Sequence, residues 1–333
     1  MVVLVWGVTS FAYFPLEIFL SPGTPFTAKE TIAPDWILDA HFIDSMTISL
    51  ITAHNTLYTY SLKTNTFMHQ YDCQEQSLLY AAQIFLPTDN RDIMVATGTV
   101  FNEIQIWHPF VNGSSSSSTT IPISARLLGH EGCIFSIRFN DAGTLLASCS
   151  DDRTIRVWDL ETRTTLAIGY AHIARVWDVR FLPPSGGALD EENIYLLSSS
   201  EDTSALLWEY SPARRKLGVR ERYHGHTGKH VWSQAISSDG KIAVTGGNDG
   251  AVNIWDIGGW RDRVPASKTR ETFWAEDAIR INIDGKDRVD SIRGYRCIDE
   301  DTLILTTQSG YGMKIQTTLM EDVFTCMYCQ GKR

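Results

Sequence analysis

A chain of 333 residues with 43% hydrophobic content is long enough to bury a large core within one domain. Its 29 Lys and Arg against 39 Asp and Glu leave a formal net charge of −10, which excludes a surface that grips nucleic acid over its whole extent. Six cysteines (73, 133, 149, 297, 326 and 329) show no framework spacing, so no disulfides and a reduced, cytoplasmic setting are expected.

In chain order, the apolar opening MVVLVWGVTSFAYFPLEIFL has no basic segment before it and is interrupted by Pro15 and Glu17. It reads as two strands turning at Gly7, a partial unit over 1–20, rather than as a leader or a membrane span. Two eroded strand clusters follow. One, 35–67, contains TISLITAHN and TLYTYSL; the other, 78–109, contains DIMVATG and EIQIWHP and keeps Trp107. The Ser114 to Ser118 run reads as a flexible surface loop. Three clear copies of one repeat then occupy 127–160, 170–210 and 224–257. After a charged, aromatic stretch, 289–318 reads as one more degenerate copy. The lone Cys326–Cys329 pair has no second pair nearby to complete four zinc ligands, so it reads as a strand end.

Each clear copy carries His, Asp and Trp in a fixed order, with a period of about 40 to 45 residues. Turn signals such as Asp239-Gly240, and ten Trp, favour short strands over helices. The expected fold is all-β: a WD-repeat β-propeller, one domain over 1–333, seven-bladed with one blade incomplete. Within a blade His130, Ser148, Asp152 and Trp158 are expected to form a hydrogen-bonded chain. The matching sets are His172, Ser198, Asp202, Trp208 and His226, Thr245, Asp249, Trp255. A His beside an Asp and a Ser looks like a hydrolase triad, but a set repeated three times and ending on Trp is structural, so no catalytic residue, metal or cofactor is expected.

Ile134, Ile137 and Phe139 break strict alternation by one residue, which predicts a β-bulge in the innermost strand of the first copy. Aligning the copies puts Phe135, Trp177 and Trp232 in one column, with Arg175 and the pair Lys229, His230 just before two of them. Aromatics beside cations suit base stacking or a protein partner, and rings that only pack between blades are the alternative. Arg214, Arg215, Lys216, Arg220 and Arg222 form the densest positive patch, read either as an edge strand protected by charge or as a phosphate-contacting surface. Trp177 to Arg180 spells WDxR, a box by which some propellers dock a ubiquitin-ligase adaptor, but it falls in the innermost strand rather than at the end of a closing one.

The phrases DWILDAHF, LLYAAQIF, VATGTVFNEIQIW, AHIARVWDVRF, GHTGKHVWS and TGGNDGAVNIWD together resemble the WD-repeat regulatory subunit of the tRNA wobble-position 2′-O-ribose methyltransferase. The resemblance runs from about Val3 to Thr325 and covers only the first propeller of a family whose members have more than one. It implies a non-catalytic scaffold whose partners are a separate methyltransferase catalytic subunit and, through the complex, tRNA modified at nucleotide 34; no membrane is involved. The lack of a glycine-rich strand-to-helix loop of the kind that holds S-adenosylmethionine agrees with that division of labour. The alternative is a ubiquitin-ligase substrate receptor or signalling propeller.

Overall fold

The computed structural model describes residues 2–6, 9–15, 30–87, 92–109, 118–184, 193–249 and 251–258, and beyond these the backbones of seven strands between 271 and 329. All regular elements among the described residues are strands. β1 (Val2–Trp6), β2 (Ser10–Pro15) and β3 (Thr31–Ile32) make a three-stranded sheet. β4 (Ile37–Asp44), β5 (Thr47–Thr52), β6 (Thr56–Ser61) and β7 (Thr66–Cys73) form the first full meander. The next consists of β8 (Leu79–Phe85), β9 (Met94–Thr99) and β10 (Glu103–Trp107). Before it closes, β11 (Ser118–Ile121) leaves it and pairs in parallel with β7; β12 (Ile123–Leu128) then returns to pair with β10.

Three four-stranded meanders follow. The first contains β13 (Ile134–Phe139), β14 (Leu145–Ser150), β15 (Thr154–Asp159) and β16 (Thr164–Tyr170). The second contains β17 (Val176–Phe181), β18 (Ile194–Ser200), β19 (Ser204–Ser211) and β20 (Lys216–His224). The third contains β21 (Val231–Ile236), β22 (Ile242–Gly247), β23 (Ala251–Asp256) and β24 (Glu271–Trp274). A hairpin of β25 (Arg280–Ile283) and β26 (Lys286–Val289) precedes a last sheet of β27 (Ile292–Asp299), β28 (Thr302–Thr307), β29 (Gly312–Gln316) and β30 (Met327–Cys329).

Sheet and repeat are offset by one strand. Leu127 and Leu128, which open the first clear sequence repeat, are the end of β12 and belong to the preceding sheet. Tyr170 and His224 likewise end the outer strands β16 and β20. Each sequence repeat therefore spans two sheets and ties them covalently. Ser118, expected in a loop, instead opens β11, which covers the open edge of β7; residues 114–117 lie outside the described residues, as do Gly7 and the Cys326 and Cys329 side chains. Covering an edge removes a row of unpaired backbone groups that would otherwise template association.

The chain divides into two compact units, Met1–Asp152 with Arg156–Leu166, and Arg153–Ile155 with Ala167–Arg333. In the first, Ile104, Ile106 and Leu127 of one sheet pack on Ile134, Ile137, Leu146 and Trp158 of the next. Gly98 sits at that junction, where an added Cβ would lie 2.6 Å from Ile134 Cγ2, so the close approach of the two sheets requires glycine. In the second unit, Leu197, Leu207 and Tyr223 pack on Ala243, Trp255 and Ile257. Both clusters join neighbouring blades, because a single four-stranded sheet cannot bury both of its faces.

Hydrogen bonds thread each clear blade. Trp158 Nε1 donates to Ser148 Oγ at 2.8 Å, and that hydroxyl lies 2.7 Å from His130 Nε2; His130 Nδ1 is 2.7 Å from Asp152 Oδ2. The carboxylate can only accept, so Nδ1 carries the proton that faces it; Nε2 of the neutral ring then accepts the hydroxyl proton, while the hydroxyl oxygen accepts from the indole. The proton order fixes a neutral His tautomer. Ser198 joins Trp208 and His172 at 2.7 Å each, with Asp202 2.8 Å from His172 Nδ1. Thr245 joins Trp255 at 2.9 Å to His226 at 2.8 Å, with both oxygens of Asp249 at 3.1 Å from His226 Nδ1. The carboxylates also accept the backbone N–H of Glu131, Ile173 and Thr227, pinning the turn that leads into each inner strand.

Trp107 has no such chain. Thr97, ten residues before it, bonds the Gln105 carbonyl instead at 3.4 Å, and Trp107 Nε1 finds no partner among the described residues. Glu75 stands where the blade would place its His. It accepts from Gln105 Nε2 at 3.0 Å and pairs with Arg126, which also binds Glu103. Asn55 donates to Gln105 Oε1 at 2.9 Å, so an amide and carboxylate network replaces the missing tetrad.

Ser148→Ala strands two buried polar groups, His130 Nε2 and Trp158 Nε1, at about 1–3 kcal/mol each. A loss of about 2–4 kcal/mol in urea unfolding is expected, against a change within about 0.5 kcal/mol for Thr162→Ala on an exposed turn. Acid is expected to act through the same chains. Burial depresses the His130 pKa despite its pairing with Asp152. Burial alone would raise Asp202 and Asp249, but hydrogen bonds from His172 and His226, and from Ser204 and backbone N–H groups, hold both well below the usual carboxylate range. The unfolded chain therefore binds more protons than the folded one below about pH 6.5 at the His and below about pH 4 at the carboxylates. Thermal midpoints should be level above neutrality, fall as pH drops below about 6.5, and fall further below about 4; a flat profile down to about pH 5 is the contrary result.

Candidate functional site

Every fully described inner strand is bulged near its start. The register shifts between Ile37 and Asp39 in β4, Leu79 and Ala81 in β8, Ile134 and Ser136 in β13, Val176 and Asp178 in β17, and Val231 and Ser233 in β21. The residues left over are Leu38, Tyr80, Phe135, Trp177 and Trp232. Their local sequence explains the bulge: a buried aliphatic precedes each one, and a small or acidic residue follows. The aliphatic anchors the strand, the bulge re-aims the large side chain, and the small residue lets pairing resume. Tyr80 and Leu38 were missed by sequence reasoning because their blades lack the His and Asp markers used to align the copies. The short phrase LLYAAQIF carries the same aliphatic, aromatic, small order.

In the first unit Tyr80 is 50% exposed and its ring lies 5.8 Å from that of Phe135. In the second, Trp177 and Trp232 have ring centroids 4.5 Å apart, and His230 stacks on Trp232 at 4.8 Å with an interplanar angle of 13°. Trp232 Nε1 donates to Asn248 Oδ1 at 2.5 Å, which fixes the indole plane. His230 holds a positive φ of 66°, a conformation few non-glycine residues adopt, and this turns its ring onto the indole. Glu201 faces this cluster, 3.9 Å from both His230 Nε2 and Arg175 Nε. Lys229 is exposed and has no acidic partner among the described residues. The rings are thus half-buried and pre-ordered, with cations at their border.

The basic patch lies elsewhere on the second unit. Arg214 and Arg215 occupy the turn between β19 and β20, and Lys216, Arg220 and Arg222 are exposed along β20, the outermost strand of its sheet. Arg220 pairs with Glu209 at 3.3 Å rather than with the adjacent Glu221, and Arg222 donates to the Ala171 carbonyl at 3.5 Å. The WDxR segment lies within the inner strand β17, where Asp178 is buried and its carboxylate holds Arg180 Nε at 3.2 Å. No group of three or more metal-ligating side chains occurs among the described residues. Cys73, Cys133 and Cys149 are free thiols, and no described helix is long and apolar enough to cross a membrane. An open cleft of about 710 Å³ is lined by Asp92, Met94, His108, Leu145, Asp159 and Glu161, none of them a bulged residue.

Two segments, 122–159 and 218–256, match the model of the WD domain, G-beta repeat family. Over 68% of its length the chain is 26% identical to the tRNA (34-2′-O)-methyltransferase regulator WDR6 of Homo sapiens, of which it spans 19%. The regulator of the same name from Drosophila melanogaster is 26% identical over 65% of the chain and 23% of the relative. Protein tipD of Dictyostelium discoideum is 30% identical over a shorter stretch, 47% of the chain and 24% of the relative. The chain therefore spans about a fifth of the length of the regulators it matches. The meanders, the three His–hydroxyl–Trp chains and these matches agree on one assignment: the chain is a WD-repeat β-propeller protein similar to the tRNA (34-2′-O)-methyltransferase regulators.

Proposed function

We propose that the chain is a non-catalytic, cytoplasmic scaffold that binds a tRNA 2′-O-methyltransferase and helps place tRNA for ribose methylation of wobble nucleotide 34. The similarity to the named regulators over two thirds of the chain carries this reading. The chemistry of the surface supports a binding role. The bulged aromatics are rigid, large and half-exposed, the kind of side chain that supplies most of the energy at protein interfaces. Buried His–Asp pairs are consumed in structural hydrogen bonds, and each is closed by a Trp rather than by an accessible nucleophile. Trp177 and Trp232 are assigned to the methyltransferase, because their rings already pack on one another at 4.5 Å and large aromatics of this kind anchor protein partners.

Deleting the gene should abolish or strongly reduce 2′-O-methylation at nucleotide 34, measured by mass spectrometry of purified tRNA; normal methylation sinks the reading. Trp232→Ala should weaken capture of the methyltransferase by the purified chain about tenfold or more, the usual cost of truncating an aromatic anchor. Unchanged capture by a folded variant would assign these rings to packing alone.

A further inference from the structure

The outer edge strand β20 departs from the charge pattern of the rest of the molecule. From Arg214 to His224 the chain carries five Lys and Arg against a single acid, Glu221, in a protein of net charge −10. Leu217 and Tyr223 are buried and hold the strand down, while Arg214, Arg215, Lys216, Arg220 and Arg222 are all exposed. Arg214, Arg215 and Lys216 have no acidic partner among the described residues.

Edge protection does not account for this density. A single charge suffices to blunt an edge strand, and the other outer strands use fewer or none. β16 has no Lys or Arg, β7 is covered by β11, and the one arginine of β12, Arg126, is occupied by Glu75 and Glu103. Four of the five cations near β20 are guanidinium groups, which bind phosphate through two parallel N–H donors where ammonium acts as a point charge. The register shifts at Arg220, so Lys216, opposite Ser211, and Arg222, opposite Leu206, lie on opposite faces, and the cations flank this outer edge on both sides over six residue steps, about 20 Å of extended strand. One strand of a nucleic-acid duplex sets its phosphates about 3.4 Å apart along the axis, so several fall within reach of such a row.

We infer that the outer edge of β20, with the turn that leads into it, is a track for the phosphate backbone of RNA. On the function proposed above, that RNA is tRNA bound for methylation. The acidic remainder of the surface repels phosphate, so a single basic edge both attracts the RNA and sets its direction across the protein. The track rests on that reading for the identity of its RNA, but its chemistry is independent of which enzyme is recruited.

The test compares the wild-type chain with Arg214→Ala/Arg215→Ala/Lys216→Ala and with Arg220→Gln/Arg222→Gln. Labelled tRNA transcript is titrated by fluorescence anisotropy between about 50 and 200 mM salt, and methyltransferase capture is measured on the same preparations. Each cation removed from a phosphate should flatten the slope of log K against log salt by about 0.7–0.9, so the triple variant should lose roughly two units of slope and on the order of tenfold in affinity at low salt. Arg214→Lys/Arg215→Lys should keep most of the slope, which separates loss of charge from loss of fold. Unchanged slopes in both neutral variants, with tRNA still bound, overturn the track. Loss of methyltransferase capture with RNA binding intact overturns it as well, because the patch is then a protein-docking surface. A wild-type chain that binds tRNA through these cations yet captures no methyltransferase upholds the track and removes the scaffold reading instead.

Discussion

One hydroxyl group in each clear blade carries the rest of the design. Ser148, Ser198 and Thr245 each stand between an indole N–H that can only donate and an imidazole whose other nitrogen faces a carboxylate that can only accept. The direction of every proton in the chain follows from that asymmetry. The imidazole points its Nδ1 proton at the Asp, and the Asp in turn receives the backbone of the turn before the inner strand. Four separate elements of a blade are thus referred to one buried atom, and in a dry site each bond polarises the next.

That turn leads directly into the bulged start of each of these inner strands. With its backbone fixed by the carboxylate, the following strand enters the sheet with an aliphatic residue buried and its neighbour in excess, and the bulge is where the mismatch is absorbed. The aromatic side chains stand at the bulge in four of the five described cases because nothing in the blade requires a large residue to point inward there. Structural pin and bulged aromatic are close in sequence and linked through the backbone. The stretch GHTGKHVWS shows both, with His226 in the core chain and His230 and Trp232 at the half-buried cluster.

Where the tetrad is missing, the fold compensates with charge. Glu75, Gln105, Asn55 and Arg126 bond one another across the junction of two sheets, and β11 crosses over to seal the neighbouring edge. Such a network tolerates less change than an apolar interface, since removal of any member strands the others. The two means of joining blades, a neutral chain of fixed proton order and an ionic cluster, differ in their response to acid: the first is disrupted once the imidazole takes a proton, the second only when the carboxylates do.

By itself the sequence determined the all-β class, the WD repeats and the membership of each hydrogen-bonded set, because these depend on residue types recurring at fixed spacing, and a repeated spacing is visible without coordinates. It also located the broken alternation at Ile134, Ile137 and Phe139. Tertiary structure alone decided the rest. The one-strand offset between repeat and sheet depends on which neighbour accepts Leu127, Tyr170 and His224 in its outer edge, and the return of β11 to β7 depends on an edge being open in space. Tyr80 joined the aromatic column only through register, and the partners of Arg126 and Arg220 lie 51 and 11 positions away along the chain. Periodicity records what a residue does within its own strand; which strand lies beside it is settled by packing between sheets, where distance along the sequence has no bearing.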